Sequence, residues 1–470
     1  MRISGLEVCA LLVLLAGCTV GPAYKRPAIA VPANFHAPEP LPPAQAASLA
    51  DLKWFEVFKD AELQSLIRSA LQQNYDLRDA VARVEEARAS LGITRSNQYP
   101  NFSAGAAVAI NRLSRDGETP IPPELLSSQN RNFGMATLNL LSFEVDIWGR
   151  LRRATEAARA NLLSAAEYRK AVITTLVSDV ATAYLQLTEL DYELDISSRF
   201  LKAREESLEL VKSRQRGGVG TLLDLRQAEQ LVDTAAQTIP GIEQQIEQTE
   251  DRISLLLGQN PGRVGRGRNF AEQDLPPEVP AGLPSALLER RPDIRAAEEN
   301  LVAANAEIGV AKAAYFPQLS LSGLLGGEST QLSSLFSGPH STWSLVPQVS
   351  QPVFTAGRLK SGVRLAEAGQ QRALIQYEKT IQTAFTEVSD SLIAHQRVRE
   401  SRQRQEELVI ALKDRVRLAY MRYRGGVDTQ LDALDADRDL FQAEIYLSQI
   451  RLNELLSVVQ LYKALGGGWS

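Results

Sequence analysis

Two stretches have the make-up of a ligand loop. Arg422-Tyr423-Arg424-Gly425-Gly426-Val427 leads into Leu431, Asp432 and Asp435, and Arg216-Gly217-Gly218-Val219 with Asp224 repeats the pattern 208 residues earlier. Paired glycines among arginines could cradle a phosphate, but no Gly-Lys-Ser/Thr follows either copy. Gly217, Gly218, Gly425 and Gly426 therefore read as turn residues that permit left-handed backbone conformations. The other reactive side chains form no constellation. His36, His340 and His395 fall in separate segments with no pair at metal-ligand spacing, and no nucleophile elbow is present. The many Glu and Arg residues read as solvated helix faces rather than acid–base pairs. The expectation is a protein that is not an enzyme and holds no metal.

The two cysteines, Cys9 and Cys18, both sit near the N-terminus, so neither a disulfide framework nor a zinc cluster is available. They belong to targeting. Arg2 supplies a positive n-region, Val8 to Ala16 an apolar stretch, and Leu15-Ala16-Gly17-Cys18 has the form of a bacterial lipobox. Cleavage after residue 17 would leave Cys18 as an acylated, palmitate-bearing N-terminus, the one covalent group expected; no cofactor is implied. Thr19, rather than Asp, after the cysteine looks like the outer-membrane sorting choice of lipoproteins. No other segment reads as the roughly 18–20 apolar residues of a transmembrane helix, so a membrane crossing would fall to strands. The net charge of -5 argues against a nucleic-acid partner.

The rest of the 470 residues must position the two turns, and its Ala-, Leu-, Glu-, Gln- and Arg-rich composition favours long helices. A Pro-rich tether, 18–58, is expected to run extended and packed on something else. Helices follow, one capped by Asp60 and one over about 76–98. Pro100 breaks the pattern. From Phe102 the period becomes two, with Phe102, Ala104, Ala106, Val108 and Ile110 on one side, which predicts a strand near 102–111 and a second near 133–145. A helix over 149–216 keeps a 4-3 spacing from Leu176 to Val211, interrupted only by Ser197 and Arg204. Another runs over 221–257, with a kink or break expected at Pro240. The chain then starts again: Asp293-Ile294-Arg295 matches Asp76-Leu77-Arg78, and Gly357-Arg358-Leu359 matches Gly149-Arg150-Leu151. Strands are predicted near 318–326 and 342–354, and helices over 357–424 and 429–465. One fold of two similar halves, 59–262 and 263–470, is the reading.

Ten-residue alternating strands match membrane β-strands, yet four cannot close a barrel, so several protomers must share one. Twelve strands from three chains would leave an aqueous lumen.

The lipobox, the TVGPAYKRP stretch from Thr19 to Pro27, the RYRGGVDTQLDALDADR stretch from Arg422 to Arg438 and the closing LYKALGGGW from Leu461 to Trp469 together resemble the TolC-like outer-membrane efflux ducts. The similarity is greatest to the OprM/NodT-type lipoprotein branch, which works with resistance-nodulation-division pumps. It implies a mainly α protein with membrane β: a homotrimer with a 12-stranded β-barrel, four strands per chain, continued by a long periplasmic α-helical barrel. The implied partners are a periplasmic adaptor (membrane fusion) protein, an inner-membrane resistance-nodulation-division transporter and outer-membrane lipid. It also implies a passive exit duct gated at its periplasmic tip. There Leu431 would supply an apolar ring and Asp435 an acidic one, and Arg422 and Tyr423 would hold the tip shut. Asp432 and Asp224 could form a second acidic layer or cap helices, and capping is favoured because Asp after a glycine turn is a common helix-start signal. A lipid-anchored coiled-coil scaffold without a pore is the alternative, disfavoured by the paired strand segments.

Overall fold

A computed structural model describes residues 19–37, 48–112, 130–273, 282 and 284–469. Cys18 lies outside the described residues, as does most of the loop between the first two strands.

Asp60 begins the first helix, α1 (Ala61–Gln73), by accepting from the Glu62 and Leu63 N–H groups, and the stripe Leu63, Leu66, Ile67 and Ala70 faces the core. Asn74 ends it and starts α2 (Tyr75–Ser96): its side chain accepts from the Leu77 N–H and donates to the Leu256 carbonyl. Beyond Pro100 the chain turns to strands β1 (Phe102–Arg112) and β2 (Asn130–Val145), then to α3 (Arg150–Arg216) and α4 (Leu222–Leu256). The series repeats as α5 (Pro292–Ala313), β3 (Gln318–Ser329), β4 (Ser341–Ser350), α6 (Arg358–Arg424) and α7 (Gln430–Ala464). The duplication is metric as well as topological. α3 and α6 each have 67 residues, and α4 and α7 each have 35.

The four strands form one antiparallel sheet in the order β1-β2-β3-β4, with Phe102 opposite Leu140, Gly134 opposite Ser329 and Gln318 opposite Ser350. A bulge interrupts the β2–β3 register between Leu140 and Phe143. Large apolar side chains on both outer strands face outward: Val108 and Ile110 are 72% and 78% exposed and Trp343 is 74% exposed. β4 stops at Ser350, short of the expected 354. Gln351 turns its side chain to the Tyr315 and Pro352 carbonyls, and Val353 and Phe354 pair with no strand.

The chain forms two compact units. One holds the sheet, with residues 19–27, Val84–Ser164 and Ala297–Tyr377; the other holds the described residues of Ala28–Arg83, Ala165–Ala296 and Glu378–Ser470. In the first, α3 and α5 meet at the buried alanines Ala157, Ala160, Ala303 and Ala306, with Val302 packed against them. The extended tether is fastened along α5. Val20 donates to the Trp148 carbonyl (3.0 Å), the Pro22 carbonyl accepts from Asn305 (3.0 Å), and Tyr24 and Arg26 both reach Glu298 (3.1 and 2.7 Å). Gly21, at φ 105°, lies so close to Gly309 that a Cβ would come within 2.5 Å of its Cα. Contacts at 298, 305 and 309 follow one face of the helix.

The second unit has the larger core, in which Ile67, Val177, Val180, Tyr184, Leu187, Ile253, Val388, Leu461 and Tyr462 are fully shielded. This core corrects one expectation. α3 does contain an 18-residue window apolar enough to cross a membrane, but its residues are mostly buried, Leu176, Val177, Val180, Ala181, Ala183, Tyr184 and Leu187 among them, so its apolarity belongs to packing against protein. Of the kink or break expected at Pro240, the break is absent. α4 runs unbroken from Leu222 to Leu256, with Thr238 donating its hydroxyl to the Ala235 carbonyl just before the proline.

Candidate functional site

Both repeated turns are built by the same local bonds. At the end of α3 the Gly217 N–H reaches the Ser213 carbonyl and the Val219 N–H the Arg214 carbonyl, both at 3.0 Å; at the end of α6, Gly425 and Val427 reach Met421 and Arg422 at the same distance. In each pair only the second glycine is left-handed, Gly218 at φ 78° and Gly426 at φ 72°. Gly217 and Gly425 do not use the freedom the sequence suggested, because their N–H groups continue the helical pattern for one more residue. The next helix begins with a capping box in both cases. Asp224 accepts from the N–H and hydroxyl of Thr221 (2.9 and 2.8 Å), and Asp432 accepts from those of Thr429 (3.2 and 2.6 Å). The Thr221 N–H bond holds the Asp224 carboxyl below its ordinary range.

The copies differ in charge. At the repeat offset Asp428 stands where the first turn has Gly220, and Tyr423 stands where it has Gln215. Arg422 closes on Asp428 with two bonds, Nε to Oδ2 at 2.5 Å and Nη2 to Oδ1 at 2.8 Å, which holds the Asp428 carboxyl below its ordinary range. Arg422 thus grips its own turn rather than a neighbouring helix. Arg214, with a glycine in place of that acid, crosses to the other turn: its guanidinium donates to the Tyr423 hydroxyl (2.5 Å) and stacks over the ring, 4.9 Å from its centroid. Leu431 is exposed in the first turn of α7. Asp435 pairs with Arg438 (3.2 Å), which also reaches Asp439, itself bound by Arg415 at 2.7 Å. The structure therefore gathers Arg422, Tyr423, Leu431, Asp432 and Asp435 on one turn and its following helix, and Asp224 on the other.

A cluster to which the sequence pattern assigns no role lies where Arg204 of α3 meets α7. Arg204, 3% exposed, donates to the Leu434 carbonyl at 3.1 Å and lies 4.6 Å from the centroid of Phe200, which stacks on Phe441. Asp437 accepts from the Tyr420 hydroxyl at 2.5 Å, while its separation from Arg204 is 3.8 Å. Burial raises the Asp437 carboxyl above its ordinary range and pushes the Tyr420 hydroxyl up as well. The signal was present: Arg204 is one of two polar residues at an apolar position of the α3 heptad, where a polar side chain specifies register and partner. Elsewhere, His395 meets Ser457 at 2.9 Å, but that hydroxyl already donates to the Glu454 carbonyl at 2.6 Å. The imidazole Nδ1–H is thus the donor, and no nucleophile is activated. Among the described residues no group of three or more His, Cys, Asp or Glu is placed to hold a metal ion.

The family model described as outer membrane efflux protein matches residues 66–259 and 283–467, one stretch in each half of the repeat. The chain belongs to the outer membrane efflux protein family. The probable efflux pump outer membrane protein TtgC of Pseudomonas putida KT2440 is 38% identical over 463 residues, covering 97% of this chain and 94% of that protein. The outer membrane protein OprJ of Pseudomonas aeruginosa is 35% identical over 472 residues, covering 100% and 97%. Among solved structures, the open state of the MtrE outer membrane channel of Neisseria gonorrhoeae superposes with a TM-score of 0.85 at 32% identity, over 96% of this chain and 99% of that one. This outer membrane efflux protein thus has the architecture of an outer-membrane channel, and its function is that of the outer-membrane exit duct of an efflux pump. Its similar proteins are channels rather than enzymes.

Proposed function

We propose that three copies of this chain share one 12-stranded barrel in the outer membrane and that the paired turns, at the periplasmic tip of the helical extension, gate the duct. The observation that carries the reading is the sheet. Its order leaves β1 and β4 as open edges with outward apolar side chains. Lipid cannot satisfy an open edge, and four strands cannot close on themselves, so β4 of one protomer must pair with β1 of the next. At the tip, three copies of Leu431 and Asp435 converging on an axis would form an apolar and an acidic constriction, the second hindering anions and sensitive to salt. Tyr423 with Arg214 would hold the two turns together and Arg422 with Asp428 would fix the shape of the second turn, while Asp432 and Asp224 serve as caps.

The tether supports lipidation at Cys18. Thr19 contacts Gly149 where the strands give way to α3, so an acyl chain on the preceding residue would start at the base of the sheet, beside outer-membrane lipid. The partners of such a duct are a periplasmic adaptor and an inner-membrane resistance-nodulation-division transporter, which choose the substrate and supply the energy. The duct itself is passive.

Planar-bilayer recording on the purified trimer tests the gate. The wild-type protein should conduct weakly, and joint Arg422→Ala and Asp435→Ala substitution should raise open-channel occupancy about tenfold or more, as expected when charge-assisted bonds are removed from the closed state. A protein that never conducts, loosened or not, is no duct gate.

A further inference from the structure

We infer that Arg204 is a positioning residue for the gate: from α3 it fixes the height and rotation of α7 at Leu434, between the constriction residues Leu431 and Asp435. The inference rests on the reading of the paired turns as a gate. Its geometry is independent of that reading.

Arg204 is buried, and its Nη2 grips a backbone carbonyl inside α7 rather than a mobile side chain, so it holds the helix itself. A shift of α7 along its axis, or a rotation carrying Leu431 and Asp435 away, breaks this bond. The aromatic pair Phe200–Phe441 holds the guanidinium plane from one side. The anchor is also one-sided: at the repeat offset of 208, Leu412 stands where Arg204 stands in the first half, so α6 returns no such grip to α4. A second arrangement is built into the cluster. Arg204 Nε and Nη1 are buried with no hydrogen-bond partner, while the Asp437 carboxylate, 3.8 Å from Nη1, is bound instead by Tyr420. A small approach of α7 toward α3 would transfer Asp437 from Tyr420 to Arg204 and give those donors an acceptor. Arg204 thus opposes displacement of α7 outward and rewards displacement inward, whereas Tyr420 holds Asp437 back.

The two residues should therefore act in opposite directions. In planar bilayers the Arg204→Met trimer should show about tenfold higher open-channel occupancy than wild type, the shift expected for losing one charged hydrogen bond from the closed state. Arg204→Lys, which keeps a cationic donor, should restore low conductance. Tyr420→Phe, which frees Asp437 for Arg204, should leave occupancy at or below wild type. A purely structural role predicts that all three variants loosen the tip together, so high conductance from Tyr420→Phe overturns the inference. So does wild-type conductance from Arg204→Met while Asp435→Ala is raised, an outcome that leaves the gate reading standing. If Asp435→Ala stays at the wild-type level too, the gate reading has failed and the inference with it. Arg204→Gln, too short to span to the Leu434 carbonyl, supplies the same contrast where the methionine variant does not assemble.

Discussion

Replacing Asp60 by alanine is expected to cost the folded protein about 2–4 kcal/mol, the order expected when one truncation leaves buried neutral donors without their acceptor. The Asp60 carboxylate, 3% exposed, accepts five hydrogen bonds: from the Glu62 and Leu63 N–H groups at the start of α1, the Tyr184 hydroxyl of α3, the Arg268 N–H and the Gln273 amide. Three separate segments therefore meet on two oxygens. Alanine would leave the Tyr184 hydroxyl and the Arg268 N–H short of an acceptor. Burial alone would raise the carboxyl, but the bonds from Gln273, Arg268, Leu63 and Glu62 outweigh it and hold the group below its ordinary value of 3.8. A depressed folded value gives stability that is present above the unfolded value and lost as pH falls through the folded one. Chemical denaturation followed by helical circular dichroism should therefore show the full deficit of Asp60→Ala at pH 7 and a shrinking one as the medium is taken below pH 4. A deficit below about 1 kcal/mol at pH 7 would mean that the cluster contributes no more than an ordinary neutral hydrogen bond.

Glu189→Gln should act in the opposite sense and stabilise the protein at alkaline pH. Glu189, on α3, is 4% exposed and accepts from the Ser448 hydroxyl of α7 at 2.7 Å. Burial, with a smaller contribution from Glu193 one turn along, raises its carboxyl from 4.5 to about 7, against the opposing Ser448 bond. Because the folded value lies above the unfolded one, the contribution is fully present below about pH 4.5 and lost as pH rises through about 7. A shift of that size corresponds to about 3 kcal/mol, paid at pH 8 by the wild-type carboxylate and avoided by the neutral amide, which can still accept from Ser448. The denaturation midpoint of Glu189→Gln should exceed wild type at pH 8 and converge with it near pH 4. Equal midpoints at both pH values would show that Glu189 has water or a cation at hand.

What could be read from the sequence was what repeats locally. The change from helical period to period two at Pro100 and again at Pro317, the glycine turns and the Thr-x-x-Asp signals all act over a few residues, and they sufficed for a duplicated, mainly helical fold with four strands. What could not be read depends on partners far apart in the chain. Asp60 was legible as a cap for α1, but its bonds to Tyr184, Arg268 and Gln273 span 124 to 213 residues and have no local signature. Arg214 reaches Tyr423 across 209 residues for a reason visible only once Gly220 and Asp428 are compared in register. Arg204 is intermediate: the sequence shows it as an interruption in a heptad, yet only packing shows that the interruption is buried against Leu434 and Asp437. The alternation predicts a longer β4 than is formed, because Val353 continues the apolar period after the pairing has ended at Ser350, and alternation alone does not report whether a partner strand is present.

The two open edges of the sheet bear on inheritance. If no protomer can close its own wall, every working pore is a composite, and a cell with two alleles of the gene fills its pores by random draw. Were one allele to encode a chain that assembles normally but is jammed shut, about one pore in eight would contain only intact chains under three-fold closed symmetry. Such an allele would be dominant, whereas one whose β1 or β4 cannot pair would drop out of assembly and remain recessive.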